Sequence, residues 1–150
     1  MNSSISLIHI TTKNNLLNIL KDEYIQPFES VRGKGAYMII KINNDLIKER
    51  PILKMFGKYI IEIDQNILLN RNDYIIYKAY KDTITNDEIF GGKLVYDSHK
   101  KETNSLYKVI KKLTLLNEIR FDNKISLKKY IPNIYEINMA SNNLIPISNI

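Results

Sequence analysis

The sequence predicts a mixed α+β domain, and three observations carry that prediction. Short runs rich in isoleucine and tyrosine recur along the chain, the composition of strands. Between them stand helical patterns of very unequal length. Strand and helix do not alternate regularly, as a doubly wound nucleotide-binding sheet requires. A chain of 150 residues suits one domain around one core.

The elements follow in order. Residues 5–10, ISLIHI, predict a strand. Thr11 or Thr12 then caps a helix over 13–22, KNNLLNILKD, whose Leu16, Leu17 and Leu20 share a face that Ile19 widens. After YIQP, Pro27 stops regular structure. FESVRGKG reads as a loop, pliable at Gly33 and Gly35, and AYMIIKI as an inner strand. NNDLIKER and PILKMFG predict two short helices, with Asn44 capping the first and Pro51 starting the second. KYIIEID is a strand, QNILLNRND a turn or a single helical turn, and YIIYKAY another strand. Residues 81–92, KDTITNDEIFGG, read as an acidic loop and KLVYD as a short strand. The clearest helix lies in SHKKETNSLYKVIKKLTLL, where Leu106, Val109, Ile110, Leu113 and Leu116 form an apolar stripe opposite lysines. NEIRF predicts a strand, DNK a turn, and ISLKKYI a strand or extended edge. EINMASNNLIPISNI reads as a strand followed by a loose tail, which sets a domain at 1–138 and a tail at 139–150.

Composition narrows the function. With 44% hydrophobic and 25% charged residues the chain is expected to fold. It has no cysteine, which excludes disulfides, thiolate metal sites and cysteine nucleophiles. A zinc site would need carboxylates beside the two histidines, and HExxH is absent, so no metal is expected. No GxGxxG or P-loop is present. The start lacks the pattern of a signal peptide and no apolar run reaches the roughly 18 residues of a membrane span, so a cytoplasmic location is expected. The net charge of +6 fits an anionic partner: a nucleotide, a phosphate, or DNA or RNA through a lysine-rich surface. The excess is lysine; the arginines are only Arg32, Arg50, Arg71 and Arg120. With 27 isoleucines and 18 asparagines, the same bias also reads as the drift of an AT-rich genome.

Five positions offer chemistry. His9 shares a strand face with Leu7 and Thr11, just before a helix N-terminus, where imidazole, hydroxyl and free N–H groups could hold a ribose hydroxyl or phosphate. The competing reading is a capped helix and a core histidine. Tyr37 opens a strand after a glycine loop and could stack on a flat ring, though tyrosine is common in strands. Arg32, with Lys34, stands on that loop and suits a diphosphate or plain solvent. Glu118 enters the EIRF strand behind the long helix; with Arg120 it faces away from Ile119 and Phe121. It reads either as a carboxylate for a sugar hydroxyl and a developing positive charge, or as half of a surface pair.

These residues carry a resemblance. LIHITTKNNLLNILKDEYIQP resembles the first motif of ADP-ribosyltransferase-like domains: a histidine and threonine on the first strand, a helix, then an exit with proline. GKGAYM is similar to their second motif, a glycine and aromatic pair opening a strand. NEIRFDNKISLKKYI is similar to their third, a glutamate-bearing strand, in the form seen in the DNA-modifying ADP-ribosyltransferase toxins. The three stand in order over roughly residues 5–134. The resemblance implies a split β-sheet core with flanking short helices and NAD as substrate. It implies that His9 binds the adenosine-side ribose with Thr11 in support, that Tyr37 stacks near nicotinamide, that Arg32 meets the diphosphate, and that Glu118 stabilises the oxocarbenium-like transition state. Leu116 stands two residues before Glu118 where arginine-modifying members carry an acid or amide, so the acceptor implied is a nucleic acid or another protein group. Two alternatives stay open: a non-catalytic nucleic-acid module using Lys100, Lys101, Lys108, Lys111 and Lys112, and a metal-independent nuclease using His9.

Overall fold

The computed structural model describes residues 5–30, 33–81, 88–100 and 103–148. Strand β1 (Ser6–Thr11) runs into helix α1 (Lys13–Asp22), the two-residue strand β2 (Tyr24–Ile25) and strand β3 (Ala36–Lys41). Helix α2 (Leu46–Glu49) and a 3-10 helix (Pro51–Phe56) precede β4 (Tyr59–Asp64), α3 (Asn66–Asn70), β5 (Tyr74–Lys81) and β6 (Glu88–Asp97). A 3-10 turn (Ser98–Lys100), α4 (Thr103–Lys111), β7 (Asn117–Phe121), β8 (Ile125–Ser126), β9 (Asn133–Ile137) and β10 (Leu144–Pro146) complete the chain. Eight strands form one antiparallel sheet in the order β10-β9-β4-β1-β3-β7-β5-β6, and β2 pairs with β8 beside it. The result is a single α+β domain with an eight-stranded antiparallel sheet and short helices. Among the described residues no helix is long and apolar enough to cross a membrane.

Apolar residues alternate to both faces because both faces are covered. On one, Leu7, Met38, Ile61 and Ile119 pack with Leu16 of α1 and Leu106 and Leu113 at α4. On the other, Ile8, Ile39, Ile60 and Ile137 pack with Leu46, Ile47 and Leu53. All six residues of β3 are buried, as an inner strand covered on both sides requires. Each fully buried isoleucine or leucine contributes about 1.5–3 kcal/mol relative to exposure.

The central pair of strands does not stay paired. β1 meets β3 only through Ser6, Leu7 and Ile8 against Lys41, Ile40 and Ile39. Beyond that point β1 continues to Thr11 on β4 alone, and β3 runs back to Ala36 on β7 alone. The sheet therefore forks into two four-stranded arms, β10-β9-β4-β1 and β3-β7-β5-β6.

One local alternative is resolved and several expectations change. Thr12 is the α1 cap, its hydroxyl accepting from the Asn15 N–H at 3.3 Å. Leu17 points outward, 42% exposed, because the stripe that meets the sheet centres on Leu16 with Ile19 and Leu20 half-buried. Asp45, not Asn44, occupies the α2 cap position, and Asn43 accepts from the Asp45 N–H at 2.8 Å. Glu88 to Gly92 are strand rather than loop: they extend β6 along β5, with irregularities in register that absorb the glycines; residues 82–87 lie outside the described residues. The long helix is shorter than its stripe. Bonds from Lys112 to Val109 and from Leu113 to Ile110 tighten its last turn, and Asn117 Oδ1 accepts from the Thr114 N–H at 2.8 Å to start β7. Only Ile125 and Ser126 of ISLKKYI pair as strand. Past Ile137 the chain turns back, and Leu144–Pro146 pair with β9 at the sheet edge.

Candidate functional site at the sheet fork

At the fork one side chain meets one carbonyl. Where the β1–β3 ladder stops, His9 Nδ1 lies 3.0 Å from the Tyr37 carbonyl oxygen. A carbonyl only accepts, so Nδ1 carries the proton and donates. In the neutral ring this leaves Nε2 as an acceptor for a ligand hydroxyl. Burial lowers the His9 pKa, with the Tyr37 carbonyl bond opposing, so the neutral form is favoured.

Two cavities open at the fork. The larger, about 410 Å³, is lined by His9, Thr11, Asn15, Asn18, Tyr24 and Phe28 among others. That volume lies in the range of small-molecule sites, roughly 300–1,000 Å³. The smaller, about 70 Å³, is lined by His9, Tyr37, Glu118, Phe28 and Phe56 with apolar β1 and β3 residues. Thus His9, Tyr37 and Glu118 border one cavity, and His9, Phe28 and Phe56 border both.

This meeting is not a matter of one sheet face. Paired residues in an antiparallel ladder point to the same side. Ile8 pairs with Ile39, and Ile39 with Glu118, so Glu118 shares the Ile8 face and His9 the other. The two side chains reach a common space because the sheet opens between their strands. Glu118 is buried at 3% exposure, so it is no surface partner. Its strand runs between β3 and β5, opposite Ile39 and Tyr77.

Thr11 is buried against β4 opposite Tyr59, and the α1 cap is left to Thr12. Tyr37 is 7% exposed, and its hydroxyl donates to the Gly33 carbonyl at 2.5 Å. Its ring thereby pins the glycine loop, and the Phe28 ring, 47% exposed, lies 5.5 Å away at 55°. Gly33 and Gly35 leave room for Arg120: a Cβ on Gly35 would come within 2.2 Å of Arg120 Cγ. Arg32 lies outside the described residues.

Sequence reasoning missed Phe28, Phe56, Asn15 and Asn18. Two signals for them were available: Phe28 directly follows the helix-exit proline, and Asn15 and Asn18 stand three apart on one side of α1. His99, the other histidine, is far from this chemistry in role. It bridges Asp97 (2.6 Å) and Asp122 (2.7 Å), tying the end of β6 to the end of β7.

A second buried polar group lies on the Ile8 face of the sheet. Glu62 accepts from Lys41 Nζ at 2.6 Å, Ser6 at 2.7 Å and Tyr135 at 3.0 Å. Burial pushes its pKa up, but these donors and the lysine charge outweigh it and the net shift is downward. Every strong donor there is already matched, so this cluster holds β1, β3, β4 and β9 together.

No protein-family model, curated protein or solved structure matches this chain.

Proposed function

We propose that the chain is an ADP-ribosyltransferase, built on an ADP-ribosyltransferase-like split sheet, that transfers ADP-ribose from NAD to a nucleic-acid or protein acceptor. One observation carries the reading: the fork between β1 and β3 gathers His9, Tyr37 and Glu118, one from each of the three motifs, around one cavity.

The reaction breaks the glycosidic bond between the ribose anomeric carbon and the nicotinamide nitrogen. The electron pair leaves with nicotinamide, which becomes neutral, and the sugar becomes oxocarbenium-like. An acceptor atom then forms the new bond to that carbon and gives up its proton to solvent. In this scheme the Glu118 carboxylate holds a ribose hydroxyl and stabilises the positive charge as it develops, most strongly in the transition state. Burial of Glu118 strengthens that interaction by keeping water away. His9 accepts a hydroxyl of the adenosine-side ribose through Nε2, and Thr11 shapes the wall beside it. Phe28 and Phe56 supply exposed rings for a flat base, and Tyr37 holds Gly33 through its hydroxyl, while the diphosphate is assigned to Arg32 by the resemblance alone.

The test is calorimetry with NAD and measurement of nicotinamide release, alone and with nucleic acid or protein mixtures. Saturable NAD binding with nicotinamide release is expected. Absence of NAD binding would overturn the reading, and metal-independent cleavage of RNA or DNA would favour the nuclease in its place.

A further inference from the structure

A third pocket, about 460 Å³ and open, lies beside the fork. It is lined by Lys13, Lys54, Lys58, Met55, Tyr59 and Met139 with Thr12 and Gly57, and no acidic residue is among them. Lys58 pairs with Glu136 at 2.8 Å on its rim. Lys13 and Lys54 have no ion-pair partner among the described residues. Met55 is 71% and Met139 46% exposed, an unusual outlay of apolar surface around three cations.

The pocket is built by a close backbone contact. Gly57, at φ +141°, lies so near the β1–α1 junction that a Cβ there would come within 2.2 Å of the Thr11 carbonyl. That contact brings Lys54 of the 3-10 helix and Lys58, just before β4, next to Lys13 at the start of α1. It also joins the pocket to the fork. Phe56, which lines both fork cavities, stands between Met55 and Gly57, and Thr11 precedes Thr12.

We infer that this pocket docks a single-stranded nucleic acid, its lysines taking backbone phosphates and its methionines and Tyr59 taking an unstacked base. Two cations with no ion-pair partner among the described residues select a polyanion, and the thioether and ring surfaces between them select a flat apolar group, a pairing that a nucleotide supplies within one unit and an acidic peptide does not. The identity of the strand as acceptor rests on the transfer reading above; the binding itself does not.

The experiment titrates fluorescently labelled oligothymidylate and oligouridylate into the whole chain, following anisotropy across a salt series. Lys13→Gln/Lys54→Gln/Lys58→Gln is compared with the charge-matched Lys108→Gln/Lys111→Gln/Lys112→Gln on α4 and the turn that ends it. The pocket variant is expected to lose about tenfold or more in affinity at low salt. Its log–log salt slope should fall by roughly 2, since each phosphate on a single strand contributes about 0.7. The α4 variant should bind within about twofold of wild type. Equal losses in both variants, or no binding by wild type, would overturn the inference. A polyglutamate that binds as tightly and is equally sensitive to the pocket variant would give the surface to an acidic protein, and overturn it too. Nicotinamide release is followed in parallel. Selective oligonucleotide loss without any NAD chemistry would leave the pocket standing and remove the transfer reading.

Discussion

His9 Nδ1 donates to the Tyr37 carbonyl at 3.0 Å, and this bond closes the angle where the two arms of the sheet part. It couples a ligand-facing ring to the backbone of the strand that bears the second motif. His9→Ala removes both the cavity acceptor and the partner of a buried carbonyl. Leaving that carbonyl unpaired costs about 1–3 kcal/mol. The variant is expected to melt lower yet remain folded, and to bind NAD at least about tenfold more weakly by calorimetry. Unchanged affinity would remove His9 from the proposed ribose contact.

Glu118→Gln keeps size and most hydrogen bonding but removes the charge. The loss should appear in turnover, on the order of 10²–10³-fold as for other transition-state electrostatic contacts, with NAD affinity changed by less than about threefold. Nicotinamide release and calorimetry on the same preparation check both halves. Full turnover in the variant would dismiss the assignment.

The two histidines give opposite pH dependences. At His99, hydrogen bonds from its ring to Asp97 and then Asp122 raise the pKa above 6.5. The folded state holds that proton more tightly than the unfolded chain, so its stabilisation is fully present below pH 6.5 and fades as pH rises through the raised folded value. At His9 burial lowers the pKa, so the neutral ring's stabilisation is present above pH 6.5 and is lost as pH falls through the depressed folded value. Urea denaturation of wild type and His99→Gln over pH 5–9 should show the difference between them shrinking above pH 6.5. NAD affinity should instead fall on the acid side, as His9 Nε2 becomes a donor.

Gly57→Ala places a Cβ within 2.2 Å of Thr11 backbone atoms, at a φ of +141° that L side chains rarely adopt. Backbone cannot yield as a flexible side chain would. A loss of about 1–3 kcal/mol or more is expected from the strained backbone alone, read as a lower urea midpoint. Gly35→Ala meets Arg120 Cγ at 2.2 Å and the Phe121 carbonyl oxygen at 3.0 Å, so it should destabilise too, by displacing the root of the Arg120 side chain.

Lys41 and Glu62 form a buried pair at 2.6 Å, with side chains 11% and 10% exposed. Lys41→Met leaves the carboxylate without its counter-charge and should cost about 3–5 kcal/mol. Lys41→Met/Glu62→Leu should recover much of that loss, because the stranded charge goes too. Equal destabilisation by the single and double variants would show that the hydrogen bonds of Ser6 and Tyr135 to Glu62, not the ion pair, hold this junction.

Much of the local structure is written in the chain. The spacing of Leu16, Ile19 and Leu20 behind Thr12 defines α1, with the bounds read from the sequence. Continuous apolar runs define β3 as an inner strand, and NEIRF defines β7. These depend on contacts between near neighbours in sequence, where capping, periodicity and side-chain shape act directly. Other features depend on partners the sequence does not display. Glu88 to Gly92 carry turn residues and become strand only because β5 lies alongside. Leu144–Pro146 read as tail and become an edge strand because β9 offers a free ladder. The site is the clearest case. Alternation fixes which way His9 and Glu118 leave their strands, and it sends them to opposite faces. Only the parting of β1 from β3, set by how α1, the 3-10 helix and the two arms pack, lets both reach one cavity. Periodicity is a property of one segment, whereas a fork is a property of where two segments stop pairing, and that balance is struck among residues far apart in the chain.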